Sequence, residues 1–326
     1  MNEIARGQSL RHSPAEERSA AFSPPRRAVL VLGMHRSGTS ALGGVISALG
    51  VAGPKTLASP NEWNPRGYFE SPRIFTAHDE LLAAIGSCWD DWRRLDPRQL
   101  DAEAGRHRQA IKELLIDEFG DAPLIFLKDP RICRFVPFTL SILAELNISP
   151  VAVLIIRNPL EVAHSLQRRE RFPLSKSILL WIRHVLDAEF DSRGMPRCLL
   201  SYEDILTDWR RQVERIAAQT GLGWPDRSGS SDIKIDDFLT ADLRRERFSI
   251  DAIMDHPAVV PLARDVYGTL TAIVTHGESK QLLDRLDQLR AKFNEACRTF
   301  GPALADVAAD QRDLASISSW HLAILS

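Results

Sequence analysis

The segment Gly33-Met-His-Arg-Ser-Gly-Thr-Ser40 has the residue types and spacing of a phosphate-binding loop. Its glycines, Gly33 and Gly38, are spaced G-x-x-x-x-G and follow a short apolar run that is typical of a buried strand. In such a strand-to-helix turn, successive backbone N–H groups and the N-terminus of the next helix can together surround a phosphate. The segment is therefore interpreted as an anion site.

The side chains of this loop indicate which phosphate it would bind. Nucleoside triphosphatases carry a lysine after the second glycine, where it reaches the β- and γ-phosphates, but this chain has Thr39 there. Positive charge lies earlier in the loop, at Arg36, and hydroxyl donors are available from Ser37, Thr39 and Ser40. The pattern favours a ligand whose single 5′-phosphate group carries a further chemical group.

A second candidate for anion binding is Arg157, at the end of another apolar run. Asn158 and Pro159 form a good N-cap and first-turn pair, so a helix is expected from there to about Gln167. Ser165 lies about two turns into that helix and returns to the side of its first turn. Arginine offers phosphate a planar charged donor and serine a hydroxyl. Together with the loop, this pair implies a ligand with phosphates at two separated points.

Four short apolar runs without polar alternation supply the strands that must position these groups. Runs of this kind suit strands covered on both faces of a parallel sheet. Segments with helical spacing lie between them, which predicts a doubly wound, P-loop-like α/β sheet flanked by helices. Ligands of such sheets bind at the carboxyl ends of the strands, and both the phosphate-binding loop and Arg157 follow a predicted strand directly. The predicted strands are residues 28–32, 124–127, 151–156 and 198–200.

Two further helices have clear signals in the sequence. A stripe of apolar residues runs from Ala41 to Leu49 and is closed by Gly50, a residue favoured where a helix ends. The pair Asp96-Pro97 opens another candidate helix that runs towards Phe119. Both helices are expected to flank the sheet.

The chain divides by composition into three parts. Residues 1–26 are polar and are expected to be a mobile leader, residues 27–222 form the predicted α/β core, and residues 223–326 are expected to be mostly helical. Within the last part, six apolar residues follow a heptad spacing. This seam suits a helix packed on its own domain, or self-association or contact with another protein through the helix at 280–300. Its residues are Leu282, Leu286, Leu289, Phe293, Ala296 and Phe300.

The composition excludes several classes of function. The 326 residues include 41 Lys+Arg against 43 Asp+Glu, and this balance argues against nucleic-acid or membrane binding as the main function. No stretch approaches the roughly 20 apolar residues of a membrane span, and the N-terminus lacks the apolar core of a signal peptide, so a cytoplasmic location is expected. The four cysteines lie far apart without ligand spacing, which predicts free thiols and no metal cofactor.

On these motifs the sequence resembles the sulfotransferases that use 3′-phosphoadenosine 5′-phosphosulfate. In that family a loop of the type [KR]-S-G-T-[TS] holds the 5′-phosphosulfate, and an arginine with a serine eight residues later holds the 3′-phosphate. The matching residues here are Arg36-Ser-Gly-Thr-Ser40 and the pair Arg157 and Ser165. Tyr202-Glu-Asp204 resembles the family's Y-E-D element, whose tyrosine lies by the adenine. The resemblance covers residues 28 to about 220 and implies the same sulfuryl donor.

Three segments resemble bacterial relatives, some of them fused to glycosyltransferases, and favour a carbohydrate-sulfotransferase-like branch. They are Gly33–Ser40, Asn64-Pro-Arg-Gly-Tyr-Phe-Glu70 and Leu127-Lys-Asp-Pro-Arg131. The chain departs from the cytosolic animal enzymes at two points. It lacks their C-terminal G-x-x-G-x-x-K loop, and it has Lys128-Asp129-Pro130 where they have K-T-H with a histidine base. The catalytic base is therefore not carried over from those enzymes.

Sulfuryl transfer needs charge stabilisation around the transferred group and removal of a proton from the acceptor. Arg36 and the loop amides are candidates for the first task. Glu70 is the preferred proton acceptor, because the resemblance implies a glutamate from this part of the chain in carbohydrate and tyrosyl sulfotransferases. It could instead cap a helix or pair with Arg66 or Arg73. His35 is the alternative base, since an unperturbed histidine titrates near pH ~6.5.

Two interpretations of Lys128, Asp129 and Arg131 stay open. In one, Lys128 or Arg131 contacts the leaving phosphate or the acceptor while Asp129 orients it. In the other, these residues form a buried ion pair that fixes the loops. Four aromatic residues nearby in the sequence could stack on a sugar or aryl acceptor, or could belong to the core: Trp63, Tyr68, Trp89 and Trp92.

The sequence thus predicts a transferase that binds phosphoadenosine phosphosulfate and sulfates a hydroxyl, with a glycan or glycolipid as the acceptor that the resemblance suggests. Two alternatives remain. A nucleotide-dependent kinase would share the loop geometry, but a lysine would be expected where this chain has Thr39. An inactive nucleotide-binding module could dock a glycosyltransferase through its C-terminal helix.

Overall fold

The computed structural model describes residues 25–240, 243, 248 and 250–324, and for residues 250, 251, 254 and 305–324 it describes the backbone alone. Residues 1–24 of the expected leader therefore lie outside the described residues. The first strand begins at Arg26.

A single parallel sheet positions the predicted motifs, and the predicted fold class is confirmed. The spatial order of its strands is β2-β1-β3-β4, so the chain leaves β1 towards one edge and later crosses to the other side. The reversal occurs between β1 and β3, where a doubly wound sheet opens its ligand crevice. The strands are β1 (Arg26–Leu32), β2 (Leu124–Lys128), β3 (Ile148–Ile156) and β4 (Arg197–Ser201).

Both faces of the sheet are buried, which explains the continuous apolar runs. Val29 and Val31 of β1 pack on one face with Leu42 and Ile46, whereas Leu30 belongs to the larger core cluster on the other face. Alternate side chains of a strand point to opposite faces, so a strand covered on both sides must be apolar at every position.

Helices cover these two faces, and a 3₁₀ helix at Pro130–Arg134 follows β2. They are α1 (Thr39–Ala48), α2 (Pro72–Ala84), α3 (Pro97–Phe119), α4 (Val136–Glu145), α5 (Pro159–Glu170), α6 (Leu174–Asp191), α7 (Tyr202–Thr207), α8 (Trp209–Thr220), α9 (Gly229–Phe238), α10 (Ile250–Asp255), α11 (Pro261–His276) and α12 (Lys280–Ile324). No helix in the described part of the chain is both long and apolar enough to cross a membrane.

Side-chain caps begin the predicted helices where the sequence indicated. The Asn158 side chain accepts a hydrogen bond from the N–H of Leu160 at the start of α5, and Asp96 accepts one from Arg98 at the start of α3. Gly50 follows α1 with a φ of 83°, a left-handed conformation that glycine adopts without strain. Helix α5 extends beyond the predicted end, to Glu170.

The C-terminal helix α12 packs along its own chain. Leu286, Leu289 and Phe293 of the predicted seam are buried in the same core cluster as α6 and α11. The seam then departs from the prediction, because Cys297 is buried in place of Ala296, and Phe300 is exposed. Contact of this helix with another chain stays a prediction.

A buried ionic cluster joins α12 to α6. The fully buried guanidinium of Arg183 donates hydrogen bonds to Asp187 Oδ1 at 3.0 Å and to Asn294 Oδ1 at 2.9 Å. It also lies over the ring of Phe293, 4.6 Å from its centre. A buried charge is tolerated only with such partners, so the cluster makes the docking of α12 specific.

We expect Arg183→Met to lower the free energy of unfolding by about 3 kcal/mol or more, because it leaves buried Asp187 with one partner fewer. Denaturant titration of the purified protein measures this change. The matched control is Arg285→Met, which removes a half-exposed pair between α12 and Asp265 of α11 and should cost less than about 1 kcal/mol. Equal costs for the two variants would contradict the role assigned to the buried cluster.

Candidate functional site

A cavity of about 520 Å³ opens at the carboxyl ends of the strands. It is walled by the loop after β1, the segment before α2, the end of β2, Arg157 at the end of β3 and the second half of α5. Most of the residues selected from the sequence line it: His35, Arg36, Gly38, Thr39, Ser40, Glu70, Lys128, Arg157, Ser165 and Tyr202. Gly33, Ser37 and Asp129 are not among the residues that line it.

The loop after β1 owes its course to close backbone approaches. A Cβ atom on Gly33 would lie 2.9 Å from the carbonyl oxygen of Ile155 in β3, so only glycine fits there without movement. The Gly33 N–H donates to Cys133 Sγ at 3.2 Å. This amide is therefore engaged with the protein, as is that of Ser37, which donates to the Met34 carbonyl at 3.0 Å, and the remaining loop amides are the candidates for binding a phosphate.

Two features of the same loop suit an anion. The hydroxyl of Ser37 is buried and has no hydrogen-bond partner within the described structure. Arg36 has a φ of 69°, an uncommon left-handed conformation for a residue with a side chain. Buried polar groups without partners are rare in proteins and commonly face a ligand or water.

The two predicted anion groups meet in the cavity. Nε of Arg36 donates to the Ser165 hydroxyl at 2.9 Å, although 129 positions separate the two residues. Arg157 donates from Nη1 to the backbone carbonyl of Arg36 at 2.9 Å and from Nε to Glu161 at 2.9 Å. Both guanidinium groups therefore border one space.

Tyr202 covers the start of α1. A Cβ atom on Gly38, the N-cap residue of that helix, would lie 2.1 Å from Cδ2 of the tyrosine ring. The guanidinium of Arg157 lies over the same ring, 4.6 Å from its centre, and the tyrosine hydroxyl donates to the carbonyl of Leu243 at 2.9 Å. The ring is thus fixed between the two anion groups.

Lys128 brings an ammonium group to the phosphate loop from a different strand. Its Nζ donates to the Ser40 hydroxyl at 3.0 Å and forms an ion pair with the Glu70 carboxylate. Both side chains are almost fully buried. The sequence suggested Arg66 or Arg73 as partners of Glu70, but Arg73 pairs with Asp117 and Glu118 instead.

The segment that carries Glu70 is braced at several points. Asn64 donates to the Ser40 hydroxyl at 3.0 Å, and Tyr68 donates to the side chain of Asn61 at 2.7 Å. At the base of the segment, buried Glu118 accepts hydrogen bonds from the N–H and the hydroxyl of Thr56. The wall of the cavity is therefore tied to the phosphate loop and to α3.

Asp129 does not reach the cavity. Its carboxylate accepts hydrogen bonds from His78 at 2.7 Å and from Arg131 at 3.0 Å, and Arg131 in turn forms a two-pronged pair with Asp79. Burial alone would raise the pKa of Asp129, but the charge of Arg131 and the bond from His78 hold it well below its usual value. Of the two interpretations of this turn, the geometry favours a buried ion pair for Asp129 and a position in the cavity for Lys128.

Two histidines, His35 of the phosphate loop and His184 of α6, are held neutral. Burial, followed by the positive charges of Arg131 and Arg169, lowers the pKa of His35 well below its usual value. Burial, followed by the charge of Arg134, lowers the pKa of His184 to about 3. Their rings lie 6.3 Å apart, and Nε2 of each has no partner among the described residues. A neutral His35 with so low a pKa is a weak general base at neutral pH.

The pKa shifts of the cavity residues follow from the same burial. Burial lowers the pKa of Arg36 to about 10, so the group remains charged at neutral pH. Burial raises the pKa of Glu70, while the neighbouring Lys128 ammonium favours its anionic form. A raised carboxyl pKa makes Glu70 a better proton acceptor than an exposed glutamate.

Several residues of the site were not selected from the sequence. Glu161, the partner of Arg157, stands four residues later on α5, and this helical spacing is the signal that could have identified it. Phe238, the last residue of α9, and Leu243, which follows that helix, also line the cavity. They have no local signal, because only the path of the chain brings them there.

Comparison with known proteins finds similar solved structures but no matching family model or curated sequence. No model of a known protein family matches the chain, and no curated protein matches it. Among solved structures, it is similar to the sulfotransferase domain of the olefin synthase from Synechococcus, at 19% identity and a TM-score of 0.42, over 84% of this chain and 96% of that one.

Two other similar structures are also sulfotransferases by name. The sulfotransferase domain from the curacin biosynthetic pathway has 15% identity and a TM-score of 0.39, over 81% of this chain and 98% of that one. A sulfotransferase from Mycobacterium tuberculosis has 15% identity and a TM-score of 0.37, over 70% of this chain and 77% of that one. These sequence identities and TM-scores are too low to assign a function, so any functional assignment must rest on the residues of this chain.

We expect His184 to make the protein less stable in mild acid. The folded protein keeps this imidazole neutral while the unfolded chain protonates it near pH ~6.5, so the unfolded state binds more protons and stability falls as pH decreases from there towards about 3. The slope for one proton is at most about 1.4 kcal/mol per pH unit.

Denaturant titrations of wild type and His184→Gln between about pH 6.5 and about pH 4.5 measure this effect. The difference between the two proteins is the decisive quantity, because the raised pKa values of Glu70 and Asp191 act in the opposite direction. The variant should lose less stability than wild type over this range. Parallel pH profiles would contradict the assignment of a neutral buried His184.

Proposed function

We propose that this protein is a sulfotransferase that takes 3′-phosphoadenosine 5′-phosphosulfate as its donor substrate and transfers the sulfuryl group to an acceptor hydroxyl. The observation that carries the proposal is the meeting of two anion groups in one cavity. Arg36 bonds to Ser165 at 2.9 Å, and Arg157 bonds to the backbone of Arg36 at 2.9 Å. A nucleotide with phosphates at two separated points can contact both groups at once.

The residues of the cavity fit such a donor. The loop after β1 would hold the 5′ side through its free amides, the unpartnered Ser37 hydroxyl and the Arg36 guanidinium. Arg157 and Ser165 would hold the 3′-phosphate, and Tyr202, which lines the cavity, would lie by the adenine. The two guanidinium groups supply the positive charge that a doubly phosphorylated nucleotide requires.

The chemical roles follow from the charges around Ser40. The bound donor supplies the sulfuryl group. Lys128 and Arg36 border the loop with positive charge and would stabilise the negative charge that develops on the leaving phosphate. Glu70, whose pKa is raised by burial, would accept the proton of the acceptor hydroxyl, and its pair with Lys128 orients the carboxylate.

A glycan or glycolipid is the acceptor that we propose, following the resemblance of the Asn64–Glu70 and Leu127–Arg131 segments to carbohydrate-sulfotransferase-like proteins. The cavity supports it with aromatic side chains in its wall. Trp63, Tyr68 and Trp89 line the cavity, whereas Trp92 packs on the core cluster. Aromatic faces of this kind suit the flat apolar side of a sugar ring.

We further propose that residues 27–222 form the donor-binding unit and residues 223–326 a helical part that supports it. The buried cluster of Arg183 and Asn294 ties that helical part to α6. All four cysteines are free thiols, which is in keeping with a reducing compartment such as the cytoplasm.

We expect Arg36→Ala and Ser165→Ala each to weaken binding of adenosine 3′,5′-bisphosphate by roughly 1.5 to 3 kcal/mol, about ten- to a hundredfold in Kd, because each removes a hydrogen bond to a charged group. Calorimetric titration without magnesium measures this affinity.

The matched controls are Arg106→Ala on the exposed face of α3 and Ser149→Ala at the opposite end of β3, which should bind like wild type. Unchanged affinity in both cavity variants would remove the donor assignment. Stabilisation by ATP only in the presence of magnesium, with no effect of the bisphosphate, would support the kinase alternative.

We expect Glu70→Gln to reduce sulfuryl transfer by roughly a hundredfold or more, because it removes the proton acceptor, while binding of adenosine 3′,5′-bisphosphate stays within about twofold of wild type. Transfer from radiolabelled donor to a panel of para-nitrophenyl glycosides measures the activity. Glu62→Gln changes an exposed glutamate of the same segment and serves as the control. Wild-type turnover by Glu70→Gln would assign the proton transfer to another group.

A further inference from the structure

One end of the cavity lies beyond the groups assigned to the donor. We call it the acceptor end and define it by His35, Phe75, Trp89, Arg131 and Arg169, all of which line the cavity. Glu70 and its partner Lys128 line the cavity as well, and the charge of Arg131 acts on Glu70. An acceptor hydroxyl close to Glu70 would therefore belong to a molecule seated here.

The charges at the acceptor end are already balanced within the protein. Arg131 is paired with Asp79 and Asp129, and Arg169 is in ion-pair contact with Glu170. At the border, Lys128 is paired with Glu70. An anionic acceptor would have to displace one of these carboxylates or lie near it, and both cost free energy in a partly buried space.

The donor end differs in this respect. There, the Arg36 guanidinium bonds to the Ser165 hydroxyl and the Trp63 carbonyl, which are both uncharged acceptors. Among the other cations of the cavity wall, Arg157 is paired with Glu161, and Arg66 and Arg168 have exposed side chains at the rim, where water and salt screen their charge. The field inside the cavity thus favours an anion beside Arg36 and a neutral molecule beside Arg131.

The acceptor end also offers partners for hydroxyl groups and for a ring. Nε2 of His35 is a buried nitrogen atom without a hydrogen-bond partner in the described structure. Trp89 is braced by Phe172, whose ring stacks on it at 5.7 Å between centres, and by His35 at 4.7 Å. A ligand with hydroxyl groups and a flat apolar face would suit this nitrogen and the Trp89 ring, whereas a hydrocarbon would leave the nitrogen unpaired.

From this balance we infer that the acceptor of the reaction is an uncharged glycoside, held at the acceptor end by hydrogen bonds and ring contacts, and that anionic saccharides are excluded. The inference rests on the proposed function and narrows its substrate class. It assigns Glu170 as a specificity-determining residue, because its carboxylate offsets the charge of Arg169.

A matched pair of ligands tests the inference. Para-nitrophenyl β-glucoside and para-nitrophenyl β-glucuronide differ only in a hydroxymethyl group against a carboxylate. Each is titrated calorimetrically into the full chain saturated with adenosine 3′,5′-bisphosphate, near neutral pH. The glucoside should bind roughly tenfold or more tightly than the glucuronide, because the carboxylate would be desolvated beside paired charges.

Glu170→Gln tests the cause of that preference. The substitution leaves the Arg169 charge without its carboxylate, so the preference for the glucoside should fall by about threefold or more through tighter binding of the glucuronide. The control is Glu113→Gln, which removes the same charge from the exposed face of α3 and should leave the preference unchanged.

Three results would overturn the inference: tighter or equal binding of the glucuronide, no measurable binding of either glycoside to the bisphosphate-saturated protein, or an unchanged preference in Glu170→Gln. Titration with the bisphosphate alone separates these outcomes from failure of the proposed function. If the bisphosphate binds and the glycoside results fail, the donor assignment stands and only the acceptor class is wrong. If the bisphosphate itself does not bind, the sulfotransferase assignment falls first.

Discussion

Two guanidinium groups held close together at the carboxyl end of the sheet are the constraint on which the cavity depends. Glu161 balances the charge of Arg157, while Arg36 has only a hydroxyl and a carbonyl as acceptors. Concentrating positive charge away from water is unfavourable, and the lowered pKa of Arg36 expresses that cost. An anion placed beside Arg36 would offset that cost.

The sheet topology makes this arrangement possible. The strand order reverses between β1 and β3, and the segments that follow these two strands therefore run in opposite directions and leave a crevice between them. Gly33 allows the backbone after β1 to approach Ile155 of β3, and Gly38 allows Tyr202 to lie on the start of α1. A side chain at either glycine would separate the elements that carry the two anion groups.

Support for the other end of the cavity comes from residues far from the chemistry. Arg134 donates to the carbonyl of Arg93 at 2.6 Å, and Arg183 donates to the carbonyl of Trp92 at 3.0 Å. These bonds fix the segment that follows Trp89. Since Arg183 also binds Asn294 of α12, the C-terminal helix helps to hold the aromatic wall of the acceptor end. Helix α12 is in this way part of the support of the site.

Local signals in the sequence determined the strands, the main helices, the phosphate loop and the fold class. Each depends on neighbouring residues, such as an apolar run buried on both faces or the cap formed by Asn158 and Pro159. Tertiary structure alone decided which residues are partners. Lys128 pairs with Glu70, Arg36 bonds to Ser165, and Asp129 pairs with His78. Such pairs join residues 51 to 129 positions apart and leave no periodicity or cap, because their distance is set by how strands are ordered in the sheet.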